Sequence, residues 1–412
     1  MLRGHLEQLA AAGLYRSRRL VDRGRPDGHG VRAVVDGRDC LTFCSNDYLA
    51  LAQDPRVAEA LARAAREYGL GSGASHLVTG HHPEHHALEQ ALARFTGRSR
   101  ALLFSTGYMA NLGLVTALAG RGDTVFEDRL NHASLLDAGL LSGARFSRFP
   151  HADPVALEAR LRAGDGRRSL VLTDGVFSMD GDIAPLPGLS EVCLRHGARL
   201  VVDDAHGLGV LGSGRGSLEH HGMTEAEVPM LVGTLGKAFG TFGAFVAGSE
   251  ELVEYLIQRA RTYIYTTALP PAVAAATRVS LELAQGETWR RERVLDNARL
   301  FRQLAAAERI TLLPSTTPIQ PVMLGDARRA VAASEALLAR GILVTAIRPP
   351  TVPEGGSRLR VTFSAGHSAA DVERLAGTLA AVLNEGSGRV TRRGQSPLGT
   401  VPVETRPDPS PP

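Results

Sequence analysis

The sequence predicts an α/β protein: a doubly wound, mostly parallel sheet with helices on both faces, followed by a smaller C-terminal α+β domain. Three observations carry this. Between His86 and Ala247, short apolar stretches alternate with helical ones, which is how strands buried on both faces read. The predicted strands end in polar groups, namely Ser105–Tyr108, Asp128–His132, Asp174–Ser178, Asp203–His206 and Thr234–Lys237. Open parallel sheets bind ligands at those carboxyl ends. After Glu287 the pattern changes to a long charged helix, four strands and two further helices.

Taken in order, residues 1 to about 25 read as an arginine-rich amphipathic helix with Leu6, Leu9, Leu14 and Leu20 as its apolar stripe. Val31–Val35 and Cys40–Phe43 flank Asp36-Gly37, a hairpin signal, and Ser45-Asn-Asp-Tyr-Leu49 is a polar turn. A helix is expected over Pro55–Tyr68, closed by the loop Gly69–Gly73. Then come a helix over His86–Phe95, a strand over Ala101–Phe104 and a helix ending at Leu118. Further strands fall at 124–126, 145–149, 169–173, 199–203, 230–234 and 244–247. In the C-terminal part a helix covers Arg290–Ala307. Strands fall near Ile310–Leu313, Ile319–Leu324, Ile342–Ile347 and Arg358–Phe363, with helices at 326–340 and 368–384. The implied units are an N-terminal segment 1–45, a large domain 46–286, a small domain 287–385 and a disordered tail 386–412, where Gly, Ser, Pro and Arg show no apolar period.

Composition narrows the function. The net charge is +3, and the tail carries Arg389, Arg392, Arg393 and Arg406 against Glu404 and Asp408, so nothing argues for nucleic acid. Cys40, Cys44 and Cys193 form neither a disulfide framework nor a zinc pattern. No apolar run can span a bilayer, and the start has no secretory signal pattern. The expectation is a soluble cytoplasmic enzyme without a metal.

Lys237 is the only lysine; all other residues among the 46 Lys and Arg are arginine. Arginine stays protonated and cannot serve as an amine nucleophile, whereas a lysine with a lowered pKa can. Codon bias with one chance survivor is the bland alternative. The surroundings favour function: Leu231-Val232 ends a buried strand, Thr234 offers a hydroxyl to an anion, and glycines 233, 236, 240 and 243 give room for a bulky ligand. Together they suggest a Schiff-base lysine beside a phosphate. Val201-Val-Asp-Asp-Ala-His206 ends another strand. A pyridinium cofactor needs a carboxylate at its ring nitrogen, which Asp203 can supply, and His206 suits its phenolic oxygen. Ser105-Thr-Gly-Tyr108 opens a helix whose amides suit a phosphate, and His132 could stack on an aromatic ring.

Two patterns are decoys. Gly207-Leu-Gly-Val-Leu-Gly212 matches the dinucleotide fingerprint, but Ser213-Gly-Arg-Gly-Ser217 continues as loop where a helix should begin. His81-His-Pro-Glu-His85 matches an inverted zincin motif, but Pro83 reads as the first helical residue and leaves His81 outside, so a helix cap is the better reading.

With these residues assembled, the chain resembles the α-oxoamine synthases, from about residue 5 to 384. The motifs that carry this are Ser45–Leu49, Asp174-Gly-Val-Phe-Ser-Met-Asp-Gly-Asp182, Val202-Asp-Asp-Ala-His-Gly207, Thr234-Leu-Gly-Lys237, Tyr265-Thr-Thr-Ala-Leu-Pro270 and Ala346-Ile-Arg-Pro-Pro-Thr-Val-Pro353. The last points to the branch acting in biotin biosynthesis. The resemblance implies a fold-type-I, pyridoxal-phosphate-dependent homodimer with shared active sites. Lys237 would bind the cofactor covalently and move the substrate's α-proton. Asp203 would face the ring nitrogen, His206 the phenolic oxygen and His132 the ring. Gly107, Tyr108, Ser178 and Thr234 would be cofactor contacts, with Thr266 and Thr267 reaching the phosphate from the partner subunit. Arg348 and Thr351 would contact the substrate carboxylate, Arg348 taking that of the amino acid; Asn46, His132 and Asp174 would also meet substrate, and Arg16, chosen over Arg18 and Arg19, the acyl chain. The implied reaction condenses L-alanine with a pimeloyl thioester, of CoA or acyl carrier protein, with loss of CO₂. Glycine with acetyl-CoA is the nearest enzymatic alternative, and a catalytically silent scaffold the non-enzymatic one.

Overall fold

The computed structural model describes residues 2–11, 14–24, 30–164 and 168–385, so the expected tail at 386–412 lies outside the described residues. Strands β1 (Val21–Asp22), β2 (Arg32–Val35) and β3 (Arg38–Thr42) form a small antiparallel meander. Asp36 (φ 48°) and Gly37 (φ 81°) make its tight turn, both left-handed as a primed hairpin turn requires. The amphipathic helix expected over the first 25 residues is shorter: Leu2–Ala11, with no buried residue. Beyond it the chain is pinned instead to the hairpin. Leu20 N–H and Arg19 both bond Asp36, at 3.1 Å each, and Val21 pairs with Val35, so sheet bonds win over helix there.

The large domain is a seven-stranded sheet built from β4 (Arg100–Phe104), β5 (Thr124–Asp128), β6 (Arg145–Phe149), β7 (Ser169–Asp174), β8 (Arg199–Asp203), β9 (Met230–Thr234) and β10 (Ala244–Gly248). Their spatial order is β4-β10-β9-β8-β7-β5-β6, and only β10 runs antiparallel to its neighbours. The continuous apolar runs follow from burial on both faces. Along β8, Val201 packs with Leu172 and the Gly107–Leu118 helix on one side, while Leu200 and Val202 pack against the Leu186–Arg195 helix on the other. Burying one such side chain contributes roughly 1.5–3 kcal/mol.

Helices start where their caps stand. Asp54 accepts from Arg56 N–H ahead of Pro55–Tyr68, Thr106 from Met109 N–H ahead of Gly107–Leu118, and Asp153 from Ala156 N–H ahead of Pro154–Arg162. The Pro83–Thr96 helix begins three residues earlier than the expected His86. His82 is its cap and His85 returns the bond to His82 N–H, so the His81–His85 pattern is indeed a capping box. Gly207–Gly212 opens no helix, since the next one is Ser217–His220. A π-helical turn at His76–Gly80 has no counterpart in the sequence reading.

The C-terminal part contains β11 (Ile319–Gly325), β12 (Ile342–Leu343), β13 (Thr345–Ile347) and β14 (Ser357–Thr362), with helices Trp289–Ala307, Ala327–Ala339 and Ala369–Glu385. The single strand expected at Ile342–Ile347 is two. β12 joins β3 in parallel, whereas β13 pairs with β14, because Val344 turns into the core between them. The stretch near Ile310–Leu313 contributes only an isolated bridge, Leu312 to Val322. The N-terminal hairpin is therefore joined to the C-terminal part through β12, and one apolar cluster runs from Val31 through Phe239 to Val382. Among the described residues the three cysteines are free, and no helix is long and apolar enough to cross a membrane.

Candidate active site

The carboxyl ends of the parallel strands converge as the topology requires. β8 stops at Asp203, β9 at Thr234 three residues before Lys237, and β7 at Asp174. β5 stops at Asp128, and His132 follows as the cap of the Ala133–Leu141 helix. β4 leads through Thr106 into the Gly107–Leu118 helix.

Lys237 Nζ lies 3.0 Å from His206 Nε2, and His206 Nδ1 lies 2.7 Å from the Tyr48 hydroxyl. Tyr48 donates to Asn46 Oδ1 at 3.4 Å, and Arg360 donates to the same oxygen at 3.1 Å. That shared oxygen can only accept, so the direction of the chain is set. Tyr48 gives its proton to Asn46, His206 gives Nδ1–H to Tyr48, and the Nε2 lone pair faces Lys237.

Asp203 is fixed from two sides. Asn111 Nδ2 donates to one oxygen at 2.7 Å and Ala205 N–H to the other at 3.0 Å. Asn111 also donates to Ser134, whose hydroxyl sits 2.7 Å from His132 Nδ1. The His132 ring is left exposed while its orientation is held. Asp174 accepts the backbone N–H of His132 at 2.9 Å through its carboxylate and donates its own backbone N–H to Asn131 Oδ1 at 3.1 Å, so it braces His132 directly.

Burial pulls the Lys237 ammonium below its usual range; Asp203 and Asp174 oppose this and Arg360 adds to it. Burial, Lys237, Arg360 and His132 hold His206 well below the usual histidine value, so it stays neutral. Although one side of His132 is open, the protein packed on its other side displaces enough solvent to lower its pKa, with Lys237 adding to this and Asp203 opposing it. Asp174, buried beside Asp203, is driven well above the carboxylate range. Such opposed shifts within one cluster are typical of catalytic centres.

Other expected residues stand as follows. Gly107 opens its helix, and a Cβ added there would meet nothing within 4 Å. Tyr108 bonds Asp137 through its hydroxyl. Thr234 donates to Gly243 O at 3.2 Å within its own loop. Ser178 O accepts from Arg360 Nε at 2.5 Å. Arg16, Arg348 and Thr351 form a separate exposed-side cluster: Arg16 donates to Thr351 Oγ1 at 3.3 Å and Arg348 to Tyr15 O at 2.6 Å. Thr267 bridges to Ser75 and is exposed, as is Tyr265. The glycines do not all make room for a ligand. A Cβ on Gly233 would strike Leu208 and Phe245 at 2.5 Å, and one on Gly240 (φ 64°) the Ala52 backbone at 2.3 Å, so these two serve chain packing.

Arg360, Tyr48, Asn111 and Ser134 are site residues the sequence reading missed. Arg360 is buried on β14 and is the arginine whose charge acts on Lys237 and His206. Its one signal was an arginine alternating with apolar residues in Arg358-Leu-Arg-Val361.

This donor set fits pyridoxal phosphate. It contains an amine, a doubly anchored carboxylate, a neutral imidazole beside the amine, a second imidazole with a free face, and a helix start with open space over Gly107.

The aminotransferase class I and II family matches residues 38–379. The 8-amino-7-oxononanoate synthase of Nitrosococcus oceani is 60% identical over 379 residues, 92% of this chain and 100% of the relative. That of Methylococcus capsulatus is 61% identical over 376 residues, 91% and 96% of the two chains. Among solved structures, a serine palmitoyltransferase from S. paucimobilis with bound PLP–myriocin superposes with TM-score 0.89 at 33% identity, covering 94% of this chain and 98% of that one. The 8-amino-7-oxononanoate synthase of Francisella tularensis superposes with TM-score 0.74 at 31% identity, covering 84% and 99%. The chain therefore belongs to the class I and II aminotransferase family and, within it, to the 8-amino-7-oxononanoate synthases.

Proposed function

We propose that this site condenses L-alanine with a pimeloyl thioester, releasing CO₂ and the thiol carrier, in a pyridoxal-phosphate-dependent reaction centred on Lys237. The observation that carries the reading is the chain's one lysine amine, held 3.0 Å from His206 beside the fixed carboxylate of Asp203.

Pyridoxal phosphate supplies an electron sink for the charge that develops on the alanine α-carbon. Lys237 binds it and, with its ammonium destabilised by burial, offers a free amine to take the α-proton at Nζ. Asp203 keeps the ring nitrogen protonated through its negative charge. His206 orients the phenolic oxygen, and the Tyr48–Asn46 chain behind it keeps the imidazole in one tautomer. His132 covers the ring, held by Ser134 and by Asp174 under its backbone. Gly107, with open space over its helix start, and Tyr108, Ser178 and Thr234 would hold the phosphate end, and Thr266 and Thr267 would reach it from a second copy of the chain in a homodimer.

Arg360 takes the alanine carboxylate, because its guanidinium is buried, partnered by Asn46 and electrostatically coupled to Lys237. Arg348 and Thr351, expected from the sequence at the amino-acid carboxylate, sit instead with Arg16, and these three receive the polar end of the pimeloyl chain, where burying an unpaired polar group would be costly.

The test compares kcat/KM for L-alanine with pimeloyl-CoA or pimeloyl-acyl carrier protein against glycine with acetyl-CoA. Preference for the first pair is expected; preference for the second overturns the substrate assignment and leaves the cofactor residues in place.

A further inference from the structure

Away from the active site, histidines crowd the start of the Pro83–Thr96 helix. His81, His86 and Glu89 each offer one ligand atom, and the three atoms lie within 4.8 Å of one another. His86 and Glu89 are three residues apart on one helix face, and His81 comes from the turn before it. His76, His81 and His85 also lie within 4.8 Å, but His85 has no lone pair to give. Its Nε2–H donates to Leu269 O at 2.7 Å and its Nδ1 accepts from His82 N–H at 3.0 Å.

The three remaining groups are prepared for a cation. His81 Nδ1 lies 2.9 Å from His76 Nδ1; with His81 as donor, its Nε2 lone pair is free, as when a ligating histidine gives its other N–H to a neighbour. His86 Nε2 meets the Gln90 amide at 3.0 Å; turning that amide over gives Nε2–H an oxygen acceptor and leaves Nδ1 for an ion. Glu89 accepts from Leu103 N–H at 3.1 Å through one oxygen, and among the described residues no cation pairs with it. Arg100, the cation acting on it, is turned to Glu250 and Glu254.

We propose that His81, His86 and Glu89 form a binding site for one divalent transition-metal ion of the zinc, cobalt or nickel type. Two imidazoles and one carboxylate select such ions over magnesium or calcium, which take oxygen ligands. The ion would tie the turn before the helix to its first two turns and, through Glu89, to β4, which leads into the helix start at Gly107.

The experiment uses the holoenzyme, stripped with a chelator and titrated with Co²⁺. A visible d–d absorption saturating at one equivalent per chain is expected, together with a rise of a few degrees in Tm on adding Zn²⁺. His86→Ala, an exposed substitution, should abolish both while leaving basal activity unchanged. Absence of stoichiometric binding to the unmodified protein overturns the site. Binding that survives His86→Ala overturns it as well, since a His76-centred trio would not need His86.

Discussion

Arg360 Nη1 donates to Asn46 Oδ1 at 3.1 Å, joining residues 314 positions apart, and so ties β14 of the small domain to the hydrogen-bond chain that ends on Lys237. The buried guanidinium on that chain is the proposed receptor for the alanine carboxylate. Arg360→Lys loses the planar fork, and should raise KM for alanine about 10- to 100-fold, corresponding to roughly 1.5–3 kcal/mol, while KM for the thioester stays within about twofold. Arg348→Ala should do the reverse. Steady-state kinetics with each substrate varied in turn check this, and an alanine effect in Arg348→Ala alone would reverse the assignment.

Lys237→Ala should lose the visible absorption of bound cofactor after dialysis and reduce kcat at least about 10³-fold. Borohydride treatment of the unmodified enzyme should place the cofactor on the peptide containing Lys237. A reducible chromophore retained by the variant would exclude Lys237 as the attachment point, since the chain has no other side-chain amine.

His151 bridges two carboxylates, Asp128 at 3.0 Å and Asp182 at 2.9 Å, and so ties the loop carrying Ser178 to the end of β5. Burial lowers its pKa, but the hydrogen bonds to Asp128 and Asp182 prevail and raise it to about 10. A histidine raised in the folded state contributes stability that is complete below its unfolded value of about 6.5 and is lost as pH climbs through about 10. Unfolding measured from pH 6 to 10.5 should show this alkaline loss. His151→Gln should be about 3 kcal/mol less stable at pH 7 and show a flatter profile. Equal alkaline slopes in the two proteins would rule out the bridge as its source.

Sharing of sites between subunits has a direct readout. Lys237→Ala and a Thr266→Ala, Thr267→Ala double variant should each be weakly active alone. Mixed under conditions of subunit exchange, they should regain activity above either parent, because one site of each mixed dimer carries neither defect. Sedimentation should report a dimer. An active monomer, or mixtures no better than their components, would place those threonines elsewhere.

Much of this protein is local, and the sequence by itself determined it. Short apolar runs mark most strands of the large sheet, and a polar residue at the carboxyl end of such a run lies at the ligand edge. Lys237, Asp203, His206 and His132 were legible for that reason. The Pro55–Tyr68 helix was equally readable, since Asp54, which caps it, bonds an N–H only two residues on. Tertiary structure alone decided the rest. Arg360 reads as an outward strand residue until β14 is covered by the loop of Ser178 and the turn of Asn46, which lie 182 and 314 residues away. The split of β12 from β13 follows from a partner, β3, some 300 residues earlier, and the strand pairing at Val21–Asp22, where helix was expected, from Val35 and Asp36. Periodicity reports which face of an element is apolar, and strand ends report where polar groups gather. Which distant segment supplies the counter-charge or the last hydrogen bond depends on chain closure over hundreds of residues, and no local pattern encodes it.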